Sequence, residues 1–152
     1  NNKLLQTNEW YHVAVVYDTE KKTAIMYVDG KEQSRIEEYG NGTPIDLGKQ
    51  DRTKQAYMFK IGHSYDEPDV MLRQLDGEIC EVRIWNVART QEEIYQNMYS
   101  VEPTTPGLCA YWKFNEGEGD IAKDYTGHGN NAIAHSKAVW PSGIEVTQKN
   151  KE

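Results

Sequence analysis

Cysteine is scarce in this chain, with two among 152 residues, Cys80 and Cys109. Two cysteines cannot make a multi-bridge framework, and the absence of Cys-x-x-Cys or His-x-x-x-His spacing among them and His12, His63, His128 and His135 leaves zinc without support. Phenylalanine is as rare, with two residues against ten Tyr and four Trp, so the aromatic weight lies in side chains that carry a polar tip. Positive charge is in deficit: 17 Lys plus Arg stand against 24 Asp plus Glu, a net charge of -7. With no basic run, such a chain is repelled by the phosphates of duplex nucleic acid and by anionic bilayer surfaces. No apolar run approaches the roughly 18 residues of a membrane-spanning helix, so direct insertion in that form is excluded. Gly-x-Ser-x-Gly, a phosphate-binding loop and a dinucleotide fingerprint are also missing, and nothing in the sequence marks a nucleophile.

What is present reads as short strands. A chain of this length buries roughly 68–70% of its unfolded surface, enough for one core. Residues 10–17 are β-branched and aromatic, and Tyr11, Val13, Val15 and Tyr17 share a face that alternation assigns to the core. A polar turn joins them to a strand over 23–28, and Asp29-Gly30 turns into a third strand over 31–38, an antiparallel meander. Residues 39–55 lack apolar periodicity and read as a long loop. A strand follows over 56–61, then a second loop over 62–75 around Pro68. After the Asp76-Gly77 turn, period two runs to Trp85. Thr90 with Glu93 then forms a capping box, and Ile94 and Met98 fall four apart on one helical face. Residues 108–114 form a late strand with Leu108, Ala110, Trp112 and Phe114 on one face.

The strand-then-helix of residues 76–99, the Asn-Glu-Trp-Tyr-His-Val stretch opening at Asn8, the Tyr-Val-Asp-Gly of residues 27–30 and the Phe-Lys-Ile-Gly of 59–62 together resemble laminin-G-like jelly rolls. These belong to the concanavalin A-like lectin and glucanase superfamily, which includes pentraxins. The resemblance implies an all-β fold: an antiparallel two-sheet β-sandwich with one short helix near residues 90–99, occupying residues 1–146 as a single domain before a polar tail at 147–152. Residues 110–140 match a pattern that normally opens such a module. The chain is therefore read as a portion whose first strands are missing, as the junction of two modules, or as a permuted domain. The first reading has the late segment folding back beside residues 78–85.

Glucanases of this superfamily carry a strand resembling Glu-x-Asp-x-Glu. Here Glu78-Ile-Cys-Glu-Val82 puts Cys80 and Val82 beside Glu78, with Glu81 opposite by alternation. The two neighbouring carboxylates of a retaining glycosidase are not formed, and no enzyme is expected. The resemblance also implies calcium at the rim. Asp124, Gly127 and Asn130 offer a carboxylate, an amide oxygen and turning carbonyls, the alternative being an Asx-type turn. Asp66 and Asp69 stand where pentraxins bind calcium, in a shorter loop. Cys80 and Cys109, on strands expected to be neighbours, make a candidate disulfide. The expected function is a non-catalytic carbohydrate-binding or adhesion module of an exported bacterial protein, extracellular, on the cell surface or periplasmic. Its partners would be a glycan or glycoconjugate and other domains of a longer protein, with Tyr39, Tyr65, Tyr125 and Trp140 as ligand platforms. The alternative is a structural or protein-contact module.

Overall fold

The computed structural model describes residues 5–44, 59–62, 64–67, 70–72, 75–134 and 140. The chain divides into two compact units, residues 1–42 with 80–152, and residues 43–79. In the first unit β1 (Val13–Asp18), β2 (Thr23–Val28) and β3 (Lys31–Ile36) form an antiparallel meander in that order, paired from Val13↔Val28 to Asp18↔Thr23 and from Ala24↔Ile36 to Val28↔Lys31. The β2–β3 turn is set by Asp29 and Gly30, both left-handed at φ 50 and 69, the geometry a two-residue hairpin needs to match strand twist. Asp29 also clips the start of β1, accepting from His12 N at 3.0 Å and donating to His12 O at 2.8 Å. Gly30 is required twice over, because a Cβ there would lie 2.7 Å from the Tyr95 ring.

The buried face of β1 is the opposite of the one alternation assigns. Ala14 and Val16 pack with Ile25, Tyr27 and Ile94, whereas Val13 and Val15 are 53% and 71% exposed. Val-Ala-Val-Val is apolar on both faces, so its pattern cannot choose between them; the choice is made by the helix that delivers Ile94. That helix, α1 (Gln91–Gln96), is too short to persist alone. Thr90 caps it with the expected box, its hydroxyl accepting from Glu93 N while the Glu93 carboxylate accepts from Thr90 N. Burial of Ile94 and Met98 contributes roughly 1.5–3 kcal/mol each, and Gln91 Nε2 donates to Gly30 O at 3.0 Å.

Downstream, β6 (Val82–Trp85) pairs antiparallel with β7 (Leu108–Trp112), from Val82↔Trp112 to Trp85↔Leu108. The late segment thus folds back beside the earlier strand. β6 is shorter than the expected 78–85, with Glu81 just before it at a left-handed φ of 56, outside the β region of a regular strand. A hairpin of β8 (Ile121–Ala122) and β9 (Ala132–Ile133) follows. Leu108, Ala110, Tyr111, Trp112 and Ala122 are buried in this part. Cys80 and Cys109 are thiols, not the expected disulfide. The register is against a bridge: Cys109 falls in the bulge opposite Ile84 and Trp85, whereas Cys80 precedes β6 beyond the left-handed Glu81, so the two are not opposed across the pair as a bridge would require.

In the second unit β4 (Ser64–Glu67) and β5 (Val70–Leu72) form a hairpin, Ser64↔Leu72 to Glu67↔Val70, where the sequence reads as loop. Two strands this short give period two too few residues to register. Residues 59–62 are not strand; residues 56–58 of the expected strand, and the 147–152 tail, lie outside the described residues. Every strand pairing is antiparallel, and α1 is the one α-helix among the described residues. No helix among them is long and apolar enough to cross a membrane.

Candidate functional site

The loop of the β8–β9 hairpin, residues 123–131, is built on Asp124, which is 3% exposed. One carboxylate oxygen, Oδ1, accepts from Tyr111 N at 3.2 Å, Thr126 N at 3.0 Å and Thr126 Oγ1 at 2.7 Å, and Oδ2 accepts from Asn130 N at 3.0 Å. Burial alone pulls this carboxyl upward, but the hydrogen bonds from Thr126, Asn130 and Tyr111 outweigh it and hold the group below its ordinary range. The loop then fastens to β7. Tyr125 N donates to Tyr111 O at 2.8 Å, Trp112 Nε1 to Asn130 O at 2.8 Å, and Asn130 Nδ2 to Cys109 O at 3.1 Å. The His128 Nδ1 sits 3.0 Å from Cys109 O and 3.1 Å from Thr126 Oγ1. Because the Thr126 hydroxyl proton is committed to Asp124, Nδ1 carries the proton in this arrangement.

These residues do not fit a calcium ion. The ion takes 6–8 oxygen ligands, whereas three donors already crowd Oδ1 of Asp124 and a fourth takes one side of Oδ2. The oxygens of Asn130 O and Asn131 Oδ1 accept from Trp112 and Asp124 N, and Gly127 N–H approaches Asp124 O at 3.5 Å. No group of three His, Cys, Asp or Glu fit for a metal gathers among the described residues. Of the weaker pair, Asp69 lies outside the described residues and Asp66 is placed only as backbone in β4.

Two of the four aromatic candidates contact the same loop. Tyr125 OH donates to Asn115 Oδ1 at 3.1 Å, and Trp140 stacks on the adjacent Phe114 at 6.4 Å between centroids with Nε1 donating to Gly119 O at 2.9 Å. Both therefore stand on the 113–120 loop. The ring of Tyr125 is flanked by the ammoniums of Lys113 at 4.8 Å and Lys123 at 5.4 Å. Tyr39 stands at the β1–β2 turn, edge-on to Tyr17 at 5.6 Å, its N–H donating to Lys22 O. The Tyr65 side chain lies outside what is described.

A further cluster has no counterpart in the sequence reading. Arg83, its side chain 6% exposed, pairs with Glu81, and the fully buried Tyr111 donates its hydroxyl to the same carboxylate. The guanidinium lies 5.0 Å from the Tyr111 ring centre. Its Nη1 donates to Asn97 O at 2.7 Å and Met98 O at 3.3 Å, supplying the cation that the last turn of α1 lacks. Burial first, then the bond to Glu81, pushes the Tyr111 phenol up to about 12. Glu81 is thus consumed in an ion pair. Alternation puts Glu81 and Arg83 on one face, but no spacing rule adds Tyr111, which the β6–β7 register places opposite Arg83.

Compared with known families, residues 1–95 match the one described as the concanavalin A-like lectin/glucanases superfamily. The chain belongs to that superfamily. A solved structure from Bacteroides ovatus, provisionally described as a carbohydrate-binding protein, is 31% identical with a TM-score of 0.70. The alignment covers 92% of this chain and 40% of that one, so the chain spans less than half of that relative's length. No curated protein matches it. As a member of this superfamily the chain has an all-β, antiparallel jelly-roll sandwich with one short helix, as its sequence implies.

Proposed function

We propose that this chain is a non-catalytic glycan-binding module, working in an exported bacterial protein at the cell surface, in the periplasm or outside the cell. The observation that carries the reading is the likeness to the Bacteroides ovatus structure described as carbohydrate-binding, within a lectin-like superfamily. Trp140 is the platform: Phe114 backs its ring and Gly119 O fixes the indole edge, so little rotamer freedom remains to be lost when a sugar stacks on it. The engagement of Glu81 by Arg83 and Tyr111 supports a non-catalytic role, because a general acid or nucleophile needs its carboxylate facing the substrate. The test is affinity electrophoresis through gels cast with soluble plant and host polysaccharides, comparing the native chain with Trp140→Ala. Retardation that the substitution removes supports the reading, and unretarded migration in every gel overturns it.

One observation favours a second reading, a structural or protein-contact module of a larger glycan-degrading enzyme or surface protein. Tyr39, Tyr125 and Trp140 are each engaged by neighbouring side chains, as packing aromatics are. Migration unaffected by any polysaccharide would favour this role.

A further inference from the structure

We propose that the 123–131 loop is a metal-free lock, in which Asp124 occupies the hub that a cation would hold, and that this loop is held in place independently of calcium. A calcium-binding loop points oxygens at a common centre and leaves them to the ion. This loop does the reverse. Three backbone N–H groups and a hydroxyl point inward at one carboxylate, the pattern of an anion held by a nest of donors. Three further oxygens are spent in turn: Asn131 Oδ1 on Asp124 N, Asn130 O on Trp112 Nε1, and Cys109 O on Asn130 Nδ2. A cation could reach the carboxylate only by displacing these donors from a site that is 3% exposed. Three of the partners, Cys109, Tyr111 and Trp112, belong to β7, so the lock also fixes the loop on the sheet without an ion.

Scanning calorimetry on the chelator-treated protein, repeated with millimolar calcium, tests this. An extracellular-type site at tenfold excess over its Kd raises Tm by about 3–6 °C in a chain of this size; the lock predicts no rise. Asp124→Asn, which puts an amide N–H₂ against one of the inward donors, should lower Tm equally in calcium and in chelator. Should that variant fail to fold, Thr126→Val removes a single donor, and the lock predicts a lower Tm that calcium does not restore. A calcium-dependent rise in the native protein that Asp124→Asn abolishes, or calcium rescue of Thr126→Val, would overturn the proposal. Terbium luminescence excited through Trp112 gives an independent readout, expected to be the same for the native chain and Asp124→Asn; a saturable signal that Asp124→Asn abolishes contradicts the lock.

Discussion

Replacing Arg83 by Met keeps most of the apolar stem and removes the guanidinium at the junction of β6, β7 and α1. Three things are lost together: the ion pair with Glu81, the two hydrogen bonds to the carbonyls of Asn97 and Met98, and the cation over the Tyr111 ring. The Arg83 and Glu81 side chains are only 6% and 20% exposed, so solvent does little to screen the pair or to rehydrate the stranded carboxylate. Removing one partner of such a pair destabilises by about 3–5 kcal/mol. The buried Arg83 Nε, which has no hydrogen-bond partner among the described residues, trims the loss toward the lower figure. With a urea m-value of about 2 kcal/mol/M, the unfolding midpoint should fall by about 1.5–2.5 M. Combining Arg83→Met with Glu81→Gln should return part of the loss, because the stranded charge is gone while an acceptor for Tyr111 remains. A fall below about 1 kcal/mol, the scale of a surface pair, would refute the argument that this trio anchors α1.

Three further outcomes follow from the same structure. Thr90→Ala removes the capping-box hydroxyl and should lower stability by about 1 kcal/mol in urea unfolding, with little effect if α1 is held by burial alone. The Tyr111 phenol, raised from its ordinary 10.0 to about 12, favours the neutral native form. Its contribution is therefore complete below pH 10 and is lost as pH rises from there to about 12; Tyr111→Phe should flatten the alkaline arm of the stability curve, and an unchanged arm would contradict the assignment. Thiol titration of the unfolded, unreduced protein should find both cysteines reactive, as the β6–β7 register requires.

The elements legible in the sequence are those whose signals are local and unambiguous. Asp29-Gly30 and the Thr90–Glu93 box fix a hairpin and a helix start by backbone chemistry that needs no tertiary partner. The core face of β1 was not legible, because Val13 to Val16 are apolar on both sides and only the docking of Ile94 selects one. The β4–β5 hairpin was too short for its period to be seen. At the site, the sequence supplied Asp124 and Asn130 as a pair but could not show the direction of the hydrogen bonds, and direction separates a carboxylate held by donors from one offered to a cation. Alternation does put Glu81 and Arg83 on one face, and they pair there; what it could not show is the left-handed φ of Glu81, before which no strand forms.

The central claim, a glycan-binding module of a lectin-like fold, is tested most directly by a glycan array that spans bacterial, plant and host structures, probed with the chain at millimolar ligand densities in calcium and in chelator. Binding to at least one glycan class is expected, equal in the two buffers and lost in Trp140→Ala. Absence of binding to every glycan in both buffers, by a chain that calorimetry shows to be folded, would contradict it.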